Sequence, residues 1–193
     1  MIRLVLGLGN PGKEYENTRH SAGRATAEYF AKSREFSAKG GPASGWEYDK
    51  KSNSLISKNS KVFIALPETF MNKSGQAAIK LIRPKKELKE LVVIHDDLDL
   101  PLGRFKISYG KSSGGHKGVE SVMRALKTKN FVRIRVGVSP KRKPPQKDVI
   151  KFIVGKFKPA ELEIFKKVIK KISDALEMII IDGHERAMSE YNG

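Results

Sequence analysis

The sequence predicts an α/β domain built on a mixed, mostly parallel twisted sheet flanked by helices. Three observations carry this expectation. Short apolar runs at 2–8 and 91–94 read as buried strands, residues 132–138 alternate apolar with Arg and Gly, and stretches of helical spacing lie between such runs. In order, 2–8 is a strand ended by the turn residues Asn10-Pro11-Gly12. Residues 22–36 have helical character, with Ala25, Tyr29 and Phe30 near one face. Residues 37–45 read as loop, and 46–57 and 61–66 as two strands of a hairpin about Asn59-Ser60. A helix over 69–82 is stopped by Pro84.

Strand 91–94 is followed by a strand at 104–109, a loop at 111–118 and a helix near 119–126. After the alternating strand 132–138 comes a basic, Pro-rich connector at 139–147, a short strand at 148–154, and a helix from Pro159 to about Ile181. Pro is tolerated at that helix start because its missing N–H has no intrahelical partner there. No internal repeat occurs, and the connector is too short to separate domains, so residues 1–193 are expected to form one domain.

Composition narrows the function classes. Hydrophobic content of 39% with 31% charged residues fits a soluble globular protein. There is no cysteine, which excludes disulfides and thiolate ligands. The apolar start is too short for a secretory signal and nothing approaches a membrane span, so a cytoplasmic protein with no membrane partner is expected. Lys plus Arg number 38 against 21 Asp plus Glu, a net charge of +17 with a pI near 10.0. That imbalance points to a polyanionic partner, nucleic acid in the first place, with plain solubility as the competing explanation.

One loop concentrates polar chemistry. Beyond the first strand, Asn10, Tyr15, Asn17, Thr18, Arg19 and His20 lie within about ten residues, more polar groups than a core needs past a strand end. Gly7-Leu8-Gly9-Asn10-Pro11-Gly12 formally fits G-x-G-x-x-G, but no helix opens directly after it and no second strand ends in an acid, which argues against a dinucleotide site. No P-loop string occurs. His95-Asp96-Asp97-Leu98-Asp99 follows strand 91–94, where a carboxylate can orient an imidazole. Its spacing fits no calcium loop and no H-E-x-x-H pair exists, so turn or capping roles for Asp97 and Asp99 are expected rather than ligation. In Pro67–Gly75, Glu68 or Thr69 is a candidate helix cap and Phe70 and Met71 are candidate core, while Asn72 has no structural explanation. Gly114-Gly115-His116-Lys117-Gly118 fits either an anion-binding nest or a flexible loop.

Four motifs then occur in order: N-P-G-x-x-Y-x-x-T-R-H, P-x-T-F-M-N-x-S-G, H-D-[DE]-L-D-L-P-x-G and G-G-H-x-G. With them the chain resembles the bacterial-type peptidyl-tRNA hydrolases from Ile2 to about Gly137, less distinctly to the C-terminus. The resemblance implies one α/β domain that cleaves the ester between a peptide and the 3′-terminal ribose of tRNA without metal or cofactor. It implies His20 as general base with Asp96 as its partner, and Asn10 and Asn72 positioning peptide and water. Asn10 would also tell N-blocked from free aminoacyl-tRNA. It further implies that Tyr15 and Phe70 meet the terminal nucleotide or ester and that Met71 lines the cleft. His116 and Lys117 fall at substrate-binding positions, and Arg104, Lys106 and Arg133 at tRNA phosphates. A monomer without an obligate protein partner is expected. Two positions depart from the family pattern, Ser21 and Lys117, each standing where Asn is usual. Lys offers only donors where an amide offers both donor and acceptor. The rival classes are a non-catalytic RNA-binding or splicing-assistance protein on the same fold, and a small-ester or nucleotide hydrolase. The first leaves the His20/Asp96 pair unexplained, the second the charge of +17.

Overall fold

The computed structural model describes residues 4–34, 45–58, 62–82, 91–140 and 142–193. The strands are β1 (Leu4–Gly7), β2 (Glu47–Asp49), β3 (Ser54–Lys58), β4 (Phe63–Pro67), β5 (Leu91–Pro101), β6 (Phe105–Tyr109) and β7 (Val132–Ser139). They form one sheet in the order β2-β3-β4-β1-β5-β7-β6. The four central strands, β4-β1-β5-β7, run parallel, and the antiparallel pairings lie at both margins. The helices among the described residues are α1 (Ala22–Ser33), α2 (Ser74–Leu81), α3 (Lys117–Leu126), α4 (Val149–Val154), α5 (Pro159–Asp182) and α6 (His184–Tyr191).

Period-two alternation sorts the side chains into two cores. On one face Val5, Ile64, Val92, Ile94 and the β7 residues Val132, Ile134 and Val136 pack with Phe30 of α1 and Phe165, Ile172 and Leu176 of α5. On the other, Leu4, Leu6, Leu91 and Val93 pack with Ala78 of α2 and Val119, Val122 and Leu126 of α3. Helices on both faces explain why the central strands read as continuous apolar runs. The edge strand β6 is closed by a side chain: the Asn192 amide accepts from Ile107 N at 2.8 Å and donates to Ile107 O at 2.9 Å. Such sealing denies the free strand edge to another chain.

Several expectations need correcting. Residues 148–154 form no strand: Val149–Val154 is helix α4. A short apolar run does not distinguish strand from helix by periodicity, and both sheet edges lie elsewhere. Residues 46–57 are two strands, β2 and β3, rather than one. Over 69–82 the chain first makes a 3-10 turn, Met71–Lys73, and only then α2. Strand β5 continues seven residues past Ile94, and α6 escaped notice because Gly183 (φ +94°) breaks it from α5. Arg34 caps α1. The proposed turn Asn59-Ser60, the stop at Pro84, the start of strand 2–8, and the loop at 37–45 apart from Gly45 lie outside the described residues.

Strand order reverses about β1, whose neighbours β4 and β5 belong to successive excursions of the chain to either side. Open α/β sheets bind ligands at the carboxyl ends of strands at such a switch point. Asn10 follows β1, Phe70 to Asn72 follow β4, and Asp96 lies in β5. Close packing of α1 on β5 holds this end together: a Cβ on Gly23 would stand 2.2 Å from the Ile94 carbonyl oxygen. Gly23→Ala must therefore push α1, and with it His20, away from β5. We expect a loss of about 1–3 kcal/mol in urea unfolding, with a larger proportional loss of catalytic activity; an unchanged midpoint and rate would contradict the packing constraint.

Candidate active site

The switch point opens into a cleft of about 590 Å³. Asn10, His20, Phe70, Met71, Asn72 and Asp96 all border it. His20 lies in a 3-10 turn, Arg19–Ser21, that leads into α1. Its Nδ1 is 3.0 and 3.1 Å from the two carboxylate oxygens of Asp96. Asp96 is ionised, so Nδ1 carries the proton and donates, leaving Nε2 as the ring's free lone pair. Burial pushes the His20 imidazole down, but the charge and hydrogen bond of Asp96 outweigh it, and the net shift is upward from 6.5. Lys117 acts in the opposite direction. Burial pushes the Asp96 carboxyl up, yet His20 and His116 hold it well below the usual carboxylate range.

Asp96 has a second histidine. His116 Nε2 lies 2.9 Å from Asp96 Oδ1, and its Nδ1 accepts the backbone N–H of Gly118 and Val119 at 3.1 and 3.2 Å, capping α3. The His20 and His116 rings are 5.1 Å apart, and His95 packs edge-on to His116 at 4.8 Å. His95 donates from Nδ1 to the Asp96 carbonyl oxygen at 2.8 Å. Burial, and with it the Arg133 guanidinium, drives its ring well below the ordinary imidazole value. Three of the chain's four histidines thus gather at Asp96, two on its carboxylate and His95 on its backbone carbonyl.

The flanking elements are fastened by residues that the sequence did not distinguish from site residues. Arg19, only 6% exposed, donates from Nη1 to the carbonyls of Gly155 and Lys156 at 3.2 and 3.0 Å and pairs with Glu161 at 2.6 Å. Its guanidinium lies 4.2 Å from the Phe152 ring centre. It staples the His20 turn to α4 and α5. Arg24 pairs with Glu68 at 2.6 Å and donates to Pro67 O at 3.2 Å, fixing the end of β4 to α1. Glu68 is therefore an ion-pair partner rather than a helix cap, and Thr69 is buried without capping. The Asn10 side chain accepts from Met71 N at 2.8 Å, which leaves its NH₂ as the group to offer a substrate. Met71 is buried, whereas Phe70 is 56% exposed. Asn72 is exposed on the cleft wall.

Other expected residues are placed differently. Tyr15 borders a separate groove of about 390 Å³ with Lys13, Asn17 and Arg24, which meets the main cleft only at Asn10. His116 has both ring nitrogens engaged within the protein and is not free to hold substrate. Lys117 is exposed on the cleft rim at the start of α3. Arg133 is 2% exposed and its Nε has no partner, so it cannot meet a phosphate at the surface. Its neighbour on the same sheet face is Arg135, which pairs with Asp97 at 2.6 Å and stands opposite Lys106 on β6. Arg104 and Lys106 are exposed. The expected turn role agrees with the structure for Asp97, which accepts from Asp99 N at 2.8 Å, whereas Asp99 forms an ion pair with Lys143 at 2.5 Å. Sequence reasoning also missed the apolar wall supplied by α4, with Val149, Ile150, Ile153 and Val154 lining the cleft. Its signal was the run V-I-K-F-I-V itself.

Among the described residues, His20, Asp96 and His116 could jointly reach a metal ion, their ligand atoms lying within 4.8 Å of one another. Those atoms already share two hydrogen bonds, which a cation would have to displace.

In an α/β domain, an imidazole held by a carboxylate at the strand switch point is placed as a general base facing a ligand cleft. The family model for peptidyl-tRNA hydrolase matches residues 4–193, and the chain belongs to the peptidyl-tRNA hydrolase family. It is similar to peptidyl-tRNA hydrolase of Aquifex aeolicus, 39% identical over 193 residues (99% of this chain, 96% of that protein), and to that of a Thermoanaerobacter species, 37% identical over 196 residues (98% and 99%). A crystal structure of peptidyl-tRNA hydrolase from Acinetobacter baumannii, 26% identical, matches with a TM-score of 0.87 over 100% of this chain and 95% of that one.

The upward shift of His20 sets the sign of two pH effects. A base must be neutral, so hydrolysis should fall on the acidic side with a midpoint above 6.5. The same pair adds stability that is present below 6.5 and is lost as pH rises through the folded value. A pH–rate profile with its acidic midpoint below 6.5 would contradict the Asp96 contribution.

Proposed function

We propose that this chain hydrolyses the ester joining a peptide to the 3′-terminal ribose of tRNA, with His20 as general base. The observation that carries this reading is the His20 Nδ1 to Asp96 bond at 3.0 Å, which points the remaining ring nitrogen at a cleft in a chain of net charge +17. Neutral His20 takes a proton at Nε2 from a water attacking the ester carbonyl, and the proton returns to the leaving ribose oxygen. Asp96 keeps the ring in one tautomer and stabilises the imidazolium without itself being protonated. No protein nucleophile is needed.

The NH₂ of Asn10, fixed by Met71, and the amide of Asn72 are the donors for the peptide carbonyl and the developing oxyanion; one such donor is worth about 3–4 kcal/mol elsewhere. Phe70 and the α4 wall cover the apolar side of the substrate. Lys117, Arg104 and Lys106 meet phosphates, joined by Arg135 in place of the buried Arg133. Tyr15 contributes through its groove beyond Asn10. Phosphate contacts give affinity without sequence readout, which suits an enzyme serving many tRNAs. On this reading the protein frees tRNA from aborted translation in the cytoplasm, acting as a monomer without membrane or obligate protein partner. No step calls for a metal or cofactor. Among the described residues no helix is long and apolar enough to cross a membrane.

Two outcomes test this reading. In single-turnover hydrolysis of N-acetyl-aminoacyl-tRNA, His20→Ala should lose ~10²–10⁴ in rate while keeping fold and tRNA binding, and Asp96→Asn should also be impaired through the wrong tautomer. Near-normal turnover in His20→Ala would remove His20 from its role, and a wild-type protein that binds tRNA without cleaving it would restore the non-catalytic class. Second, log affinity for tRNA should fall linearly with log salt, and Lys106→Ala should lower the slope by about one unit where Arg133→Met leaves it unchanged. A flat salt response would make +17 a solubility feature.

A further inference from the structure

His116 does not behave as a second base. Its Nδ1 accepts two backbone N–H groups from the first turn of α3, while its Nε2 faces Asp96 Oδ1. A proton on Nδ1 would point at two N–H donors, forfeiting both bonds and adding a positive charge at the positive end of a helix. The only form that satisfies every neighbour is neutral, with its single hydrogen on Nε2. Lys117, next in sequence, adds further positive charge there.

We propose that His116 is a positioning residue, locked by the α3 N-terminus as a neutral hydrogen-bond donor that orients Asp96 while leaving the carboxylate's full charge to His20. The inference rests on the reading of His20 as base. A cation in its place would share Asp96 with His20 and weaken the stabilisation of the imidazolium that forms when water is deprotonated. A neutral donor fixes Asp96 Oδ1 without competing for its charge. The other groups facing this cluster are consistent with that role. Among the described residues, Asp96 is the acid bonded to both the His20 and His116 rings. His95 approaches edge-on with its own Nδ1 hydrogen committed to the Asp96 carbonyl. Beyond His95 lies the Arg133 guanidinium, and Lys117 stands on the cleft rim next to His116.

The test begins with the wild-type protein labelled with ¹⁵N-histidine, whose four rings are few enough to assign with a His184→Gln control. Long-range ¹H–¹⁵N spectra should show His116 with Nε2 protonated and Nδ1 bare, and still so at the pH where His20 carries both protons. A doubly protonated His116 at a pH where the protein hydrolyses its substrate overturns the proposal. Because this measurement needs no turnover, its result is separate from a failure of the hydrolase reading. His116→Lys and His116→Gln then compare a cationic with a neutral donor to Asp96. The Lys variant should lose about tenfold more in kcat than the Gln variant at similar KM, and its acidic limb should move about one pH unit lower, the scale of one charge interaction. Equal kcat and equal limbs in the two variants also overturn it. If neither variant folds, the wild-type spectra alone decide.

Discussion

The structure turns on a carboxylate buried at the floor of the cleft. Asp96 is 3% exposed and stays ionised. An isolated buried carboxylate is costly enough that it would ordinarily take up a proton. It remains charged because two imidazoles from separate parts of the chain donate to it, His20 from the turn before α1 and His116 from the cap of α3. The constraint works in reverse as well. Helices on opposite faces of the sheet must both bring their first turns to the same point of β5, which fixes where α1 and α3 sit. Satisfying a buried charge and assembling the site are thus one requirement.

Rigid support for that geometry comes from two arginines that hold backbone as well as acids. Arg19 binds the carbonyls that end α4, and Arg24 binds the end of β4. Each guanidinium offers five donors in a planar fork, so it can fasten carbonyl oxygens and a carboxylate together. The consequence is that the chain from the loop beyond β1 into α1 is held on both sides: to α4 and α5 through Arg19, and to the end of β4 through Arg24. Asn10 completes the frame through its bond to Met71 N. A base that must meet water within a few tenths of an ångström needs this kind of surrounding.

Much of this was legible in the residues because it follows from local chemistry. The apolar strands β1, β5 and β7, the long helix α5 and the polar loop beyond β1 all announce themselves through spacing and turn residues. The His20/Asp96 pair was expected from the four motifs and the strand-end rule. What stayed hidden depended on tertiary partners. The string V-I-K-F-I-V is equally apolar as strand or helix, and only its docking by Arg19 against the His20 turn makes it α4. Alternation puts Arg133 and Arg135 on one face of β7, but whether a face is covered depends on what packs over it, so the resemblance that implies a phosphate contact for Arg133 could not show it to be buried. His116 read as a substrate residue because its motif sits beside glycines. Its two partners, Asp96 and the α3 backbone, come together only in the fold.

The charge of the chain gives the neutrality of His116 a further physical meaning. With 38 basic and 21 acidic residues, the protein carries a net positive potential suited to a polyanion. That potential favours an ionised carboxylate but disfavours an imidazolium beside it, as Lys117 already does at His20. Three arrangements oppose this. Asp96 is buried against the sheet, away from the surface cations. Asp97 and Asp99 neutralise Arg135 and Lys143 at the same strand end. The second histidine contributes a hydrogen bond instead of a charge. The site therefore remains locally acidic enough to hold the His20 proton inside a molecule whose surface is basic enough to hold RNA, and the separation is achieved over the few residues of β5 that link Asp96 to Asp99.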